Sequence, residues 1–249
     1  SNNLKIQNRN NDFKIKGEVE NKSFNLNEKN INLFIKTHLP NLDINEIKLN
    51  SKNEFSFTIN KKFEFKDFEL VSKIQLNKAI FSNEIYFKNI FPQIKKSITI
   101  IDHDLQIDYK NGDLSIIGEG DIFLQNKKDK LNYLISKKNS SFNFETLLEM
   151  NKNPLFLDIL NYKKNELGQA KIHLKGIKTD KEINLKLISL EDNDIKLEVE
   201  DLKLNNKFQI LDLRKADVNY LDNKNINNQF KIIKDDNSFL LKGPSFNAE

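Results

Sequence analysis

Leu105-Gln106-Ile107-Asp108-Tyr109-Lys110-Asn111-Gly112-Asp113-Leu114-Ser115-Ile116-Ile117-Gly118 decides the fold. Apolar and polar residues alternate on both sides of Asn111-Gly112, as they do in a strand with one dry and one wet face. Asn and Gly both tolerate positive φ, which a type I′ turn demands at its two central positions. Folding there sets Tyr109 opposite Leu114, Ile107 opposite Ile116 and Leu105 opposite Gly118. The apolar members then share one face, so turn chemistry and hydrophobic register agree on an antiparallel hairpin.

The same period of two runs outward along the chain. It is present at Phe55-Ser56-Phe57-Thr58-Ile59, Phe63-Glu64-Phe65, Phe142-Asn143-Phe144, Ile172-His173-Leu174 and Ile183-Asn184-Leu185-Lys186-Leu187. Ile195-Lys196-Leu197-Glu198-Val199, Leu202-Lys203-Leu204, Phe208-Gln209-Ile210, Phe230-Lys231-Ile232 and Phe239-Leu240-Leu241 continue it. A three-residue loop at 205–207 would set Leu204 opposite Phe208 and Leu202 opposite Ile210. The apolar phase slips between Leu187 and Ile188, which predicts a β-bulge. Glu145 to Leu160 reads equally as a short helix broken by Pro154 or as strand, and Glu84 to Lys96 is similarly ambiguous. No flexible linker or exact repeat divides the chain; a candidate sub-boundary lies near residues 92–97.

At about 10–12 residues per strand and turn, the chain would hold on the order of 20 strands. Open sheets rarely exceed about 10 strands without curling or splitting. A sheet with one apolar face must therefore turn that face inward, as a sandwich, a barrel or a long U-shaped trough. The barrel fits poorly, because Trp is absent and 5 Tyr are few for aromatic girdles. Lys and Arg total 40 against 36 acids, so there is no field to steer nucleic acid. Arg occurs only at positions 9 and 214, which removes the usual reader of phosphate and guanine. There is no Cys, hence no disulfide, thiolate metal site or thiol nucleophile. No apolar run is long enough to span a bilayer as a helix. The opening Ser1-Asn2-Asn3 lacks Met and a leader, so the chain reads as part of a longer protein.

No constellation points to catalysis. The histidines are His38, His103 and His173. Asp102-His103-Asp104 invites a metal, but neighbours on a strand face opposite ways, so a polar strand start is the expectation. His173 alternates with Ile172 and Leu174 and belongs on the wet face. Gly118-Glu119-Gly120-Asp121 reads as a strand bend, and Glu191-Asp192-Asn193-Asp194 as a hairpin loop; neither has the ligand spacing of an EF-hand. Lysine pairs at 61–62, 95–96, 127–128 and 163–164 are expected to keep turns and edges soluble. No phosphate-binding loop or nucleophile elbow is present. The expectation is a non-enzyme without metal or cofactor.

Asp201-Leu202-Lys203-Leu204, Phe230-Lys231-Ile232-Ile233 and the closing Phe239-Leu240-Leu241-Lys242-Gly243-Pro244-Ser245-Phe246-Asn247-Ala248 resemble the AsmA-like superfamily. That group ends in a strand, a Gly and a "Ser-Phe-Asp-Ala" corner, and Asn247 stands where its Asp is usual. Gly112 to Gly120, and Leu160-Asn161-Tyr162-Lys163-Lys164 before Ala170, have the same look. The resemblance covers about residues 100–249; residues 1–100 match in texture only. It implies an all-β fold, a long antiparallel meander curled into an elongated U-shaped trough with an apolar inner face and at most one or two short helices. Residues 1–249 would be one continuous segment of a periplasmic protein anchored to the inner membrane by a part outside this chain. Its implied work is to move phospholipids toward the outer membrane, supporting outer-membrane assembly and integrity. Acyl chains are the implied partner, outer-membrane or periplasmic proteins are candidates, and nucleic acid is not. The expected groove lining is Phe55, Phe57, Phe63, Phe65, Leu105, Ile107, Ile116, Phe142, Phe144, Ile172, Leu174, Leu197 and Val199. The rival is a non-catalytic β-rich structural or adhesion module, in which the same residues fill an ordinary core.

Overall fold

The computed structural model describes residues 2–9, 12–27, 44–82, 87–165, 167–236 and 238–245. The chain is all-β. In order come β1 (Asn3–Arg9), β2 (Asp12–Asn27), β3 (Ile44–Ile59), β4 (Phe65–Ser82), β5 (Ser97–Lys110), β6 (Asp113–Phe123), β7 (Asp129–Lys138) and β8 (Ser141–Met150). A small ribbon follows, β9 (Phe156–Leu157) and β10 (Tyr162–Lys163), joined by a 3-10 turn at Asp158–Leu160. Then come β11 (Ala170–Lys178), β12 (Glu182–Glu191), β13 (Ile195–Asn205), β14 (Ile210–Leu221), β15 (Asn227–Asp235) and β16 (Ser238–Ser245). Fourteen strands form one antiparallel sheet in sequence order, with only β9 and β10 left out between β8 and β11. The sheet is open: β1 neighbours only β2, and β16 only β15.

Asn111 and Gly112 form the tight turn between β5 and β6, with φ of 51° and 94°. Gly120 faces His103, as the register imposed by that turn requires. The strands are fewer and longer than the expected 20 or so. β4, for instance, is 18 residues long. Ser23, Asp67, Asp102 and Asp201 adopt positive φ inside β2, β4, β5 and β13. Each such kink resets the alternation, so one bulged strand reads as two in sequence.

Three local expectations change. Phe63 is not in a strand. It lies in the β3–β4 turn, where Asn60 Oδ1 accepts the Lys62 and Glu64 N–H groups at 2.9 Å each. The β13–β14 connection spans 206–209, so Leu204 pairs with Ile210 and Leu202 with Leu213. The bulge in β12 falls at Lys186, beside Lys175 and Gly176 of β11. The sequence from Glu145 continues β8 to Met150 and then forms β9, its helical content being the 3-10 turn alone, while residues 87–96 form turns. His38, residues 83–86 and the Phe246-Asn247-Ala248 part of the closing motif lie outside the described residues.

The contacts divide the chain into two units. One comprises Ser1–Asn83, Ser97–Ile122 and Tyr133–Asn139; the other Glu84–Lys96, Phe123–Asn132 and Ser140–Glu249. The second holds a sealed cluster of Met150, Leu155, Tyr162, Ala170, Leu190, Ile195, Val218, Tyr220 and Phe230.

Candidate functional surface

In the second unit, cross-strand pairing builds continuous apolar rows. Leu148, Ile172, Leu190, Leu197, Val218 and Phe230 form one row across β8 and β11–β15. Beside it run Leu174, Ile188, Val199, Ala216 and Ile232, and beyond them Phe144, Gly176, Leu185, Leu202 and Leu213. Burial declines along the strands. The first row packs against the sealed cluster, the next two are mostly half-buried, and Ile210 near the β13–β14 tip is 69% exposed. Ile172 and Leu197 thus pack against a core, whereas Phe142, Phe144, Leu174 and Val199 lie beyond it.

A cap made by residues 151–165 closes the buried end. Its fixings are polar. Asn153 Nδ2 donates to Lys127 O at 2.7 Å and to Asp129 Oδ2 at 2.6 Å, while its Oδ1 accepts the Lys127 N–H at 2.9 Å. Gln125 Nε2 donates to Pro154 O at 2.8 Å, and Lys164 Nζ to Asn151 O at 2.7 Å. Asn153, Gln125, Asp129 and Lys164 are all fully buried, so Lys164 is a structural post and not the solvated half of a lysine pair. Burial pushes the Asp129 carboxyl above its ordinary value, although Asn153, the Asn151 N–H and Lys164 pull the other way. Tyr162 donates its hydroxyl to Asp192, which also accepts the Asp194 and Ile195 N–H groups in the β12–β13 loop.

The first unit repeats the pattern less uniformly. Leu4, Gly17, Phe55, Leu70 and Tyr109 align across β1–β5. Leu105 and Ile107 pair with Ile74 and Ser72, and Ile116 is half-buried on β6. The Phe57 ring stacks on Phe65 with centroids 4.3 Å apart, and on Phe55 at 6.1 Å. A hydrogen-bonded patch interrupts the face: Ser72 Oγ donates to Asn53 Oδ1, and Asn53 Nδ2 to Ser51 Oγ at 3.0 Å and Val19 O at 3.2 Å. Toward the β3–β4 tip, Phe65 is 63% exposed. Of the thirteen expected lining residues, only Phe63 and Phe65 are exposed and the other eleven are half-buried.

Two of those phenylalanines have a definite seat. Phe55 lies over Gly17 and Phe144 over Gly176, each glycine being the ring's partner on the next strand. Tyr133 covers Gly118 in the same way, and His103 covers Gly120. The two glycines therefore lie inside β6 to admit rings, not to bend it. His103 is in mid-strand and fully buried, unlike the polar strand start expected. Its Nε2–H donates to Asp121 O at 3.0 Å, and burial lowers its pKa against the pull of Asp121, Asp102 and Asp104. Burial also pushes the Tyr133 hydroxyl up to about 12.

The opposite face of the second unit is charged. Lys186 meets Asp201 at 2.9 Å, Arg214 bridges Asp201 and Glu200, and Lys215 joins Glu200 at 3.2 Å to Asp217 at 2.9 Å. His173 Nε2 lies 2.8 Å from Glu145 Oε1, and Lys175 holds the other oxygen at 3.0 Å. Lys175 first, then His173, holds the Glu145 carboxyl below its ordinary value. Among the described residues no three His, Asp or Glu side chains converge as metal ligands would. The rows depend on strand pairing, so sequence reading did not place Leu70, Leu148, Leu190 or Val218 in them, and it paired Tyr109 with Leu114 without Leu70 on its other side. No protein-family model, curated protein or solved structure matches the chain.

Proposed function

We propose that the half-buried apolar rows carry phospholipid acyl chains, in a segment of an AsmA-like periplasmic protein held to the inner membrane by a part outside this chain. The observation that supports this is the decline of burial along the strands. The second unit is sealed at one end by the cluster around Met150, and its apolar face then continues as half-buried Phe, Leu, Ile and Val. Acyl chains gain about 0.8 kcal/mol per CH₂ removed from water, so such a face lowers the cost of moving a lipid without any catalytic group. Repeated similar contacts give no single point tight enough to trap the chain. Lipid would move toward the outer membrane and support its assembly. The sealed cluster around Met150 favours a second reading, a β-rich structural or adhesion module with a filled core.

Lipid extraction from protein purified out of a bacterial periplasm without detergent separates the two. Mass spectrometry should find several phospholipids per chain, and Phe57→Asn and Phe144→Asn should each lower the yield. A lipid-free protein with a cooperative melt sinks the carrying role and leaves the structural module.

A further inference from the structure

Three hairpin turns share one hydrogen-bond plan. In the first, Asn60 N donates to Glu64 O at 3.2 Å, Phe63 N to Asn60 O at 2.9 Å, and Asn60 Oδ1 accepts the N–H groups of Lys62 and Glu64. The second repeats it from Asn205: Asn205 N to Gln209 O at 3.0 Å, Phe208 N to Asn205 O at 2.9 Å, and Oδ1 accepting from Lys207 and Gln209. The third uses Asp222 with Lys224, Asn225 and Ile226. In each, the fourth residue is left-handed: Phe63 at φ 60°, Phe208 at 59° and Asn225 at 60°.

Asn is a natural occupant of that conformation, and Phe is not; a bulky residue at positive φ is an outlier that asks for a reason. The third turn shows that the plan closes without Phe. Yet Phe63 and Phe208 are held there 88% and 70% exposed, so neither ring is recovered by packing. Both follow a lysine, Lys62 and Lys207, and both are followed by a further exposed apolar residue, Phe65 at 63% and Ile210 at 69%. Lys61, Lys62 and Lys207 are solvent-exposed, as is Glu64, which accepts from Asn60 Nδ2 at 2.6 Å and leaves the first tip with two cations against one acid. In the second, the equivalent Gln209 accepts from Asn205 at 2.8 Å and brings no charge. Each tip is thus a rigid apolar point beside cations, the composition that seats at the boundary of headgroups and acyl chains in an anionic bilayer.

We propose that the β3–β4 and β13–β14 tips are membrane-contacting points that place Phe63 and Phe208 into the surface of an anionic phospholipid bilayer. This does not depend on lipid carriage along the strands, since either property can exist without the other.

The chain contains no Trp, so Phe63→Trp and Phe208→Trp each introduce a sole tryptophan at a tip, excited at wavelengths where the 5 Tyr do not absorb. With phosphatidylcholine vesicles containing phosphatidylglycerol, each emission should shift to the blue and be quenched by brominated acyl chains. Phosphatidylcholine alone should give a smaller shift. The double variant Phe63→Asn/Phe208→Asn suits the left-handed turn, so its Tm should equal or exceed that of the parent, while its partition into the anionic vesicles should fall about tenfold or more. Emission unmoved by either vesicle, or a folded double variant that partitions like the parent, overturns the proposal. So does a blue shift that needs an added envelope protein instead of vesicles. Lipid extraction from the same double variant reads carriage separately, because Phe57 and Phe144 are untouched.

Discussion

Gly120 shows how one absent side chain fixes its neighbours. A Cβ added there would stand 2.6 Å from the Asp102 carbonyl oxygen and inside the His103 ring. Neither a backbone carbonyl nor a fully buried ring can yield cheaply, so Gly120→Ala should cost about 1–3 kcal/mol, as overpacking does. Urea unfolding checks this, with the midpoint moving and the slope unchanged. His103 itself makes stability depend on pH. Burial lowers its folded pKa below the unfolded value, near 6.5, so its contribution is full above about pH 6.5 and is lost as pH falls through the depressed value. A urea midpoint series from pH 7.5 to 5 should decline for the parent and flatten in His103→Gln. An equal slope in both would assign the acid sensitivity to another group, since carboxylates such as Glu145 and Glu200, held low by their lysines, lose their contribution only below about pH 4.5.

Among the elements, the cap at 151–165 is where polar fixings replace hydrophobic patterning. Asn153→Ala would free the Lys127 N–H and C=O, which water can reach, and strand one oxygen of the buried Asp129 carboxylate at about 1–3 kcal/mol, the upper part of that range applying to a charged group. Allowing for partial relaxation, a loss of at least about 2 kcal/mol is expected on that scale, with proteolysis advancing first within the cap. An unchanged cleavage pattern would mean that Leu155 and Tyr162 hold it unaided. Asp129 acts with the opposite sign to His103: its raised folded pKa favours stability in acid, and that contribution fades as pH rises through the raised value. Elements differ in how far sequence discloses them. Asn111-Gly112 and its flanking alternation were readable because turn and register are local. The αL kinks at Asp67, Asp102 and Asp201 were not, since Asp is common both in turns and on a wet strand face. Nor was the turn at Asn60, where Phe63-Glu64-Phe65 alternates like a strand while the Asn side chain bends the chain. The cap was illegible for another reason: Gln125, Asp129 and Lys164 look like surface residues until distant partners bury them.

For the whole molecule, the exposed area is the decisive quantity. Among the described residues the apolar rows are half-buried and run out to open positions such as Phe65 at 63% and Ile210 at 69%. Heat capacity reports the same quantity in solution, because apolar surface newly exposed on unfolding raises it. A packed chain of 249 residues should show about 3–3.7 kcal/mol/K. Area already exposed in the native state cannot be exposed again, so the lipid-free protein should fall below that range. Scanning calorimetry at several pH values gives the number from the slope of unfolding enthalpy against Tm. Reloading with phospholipid should restore part of the deficit if acyl chains cover the rows. A lipid-free value inside the packed range would mean that the apolar face is already covered in solution, and the filled-core module would then be the better account.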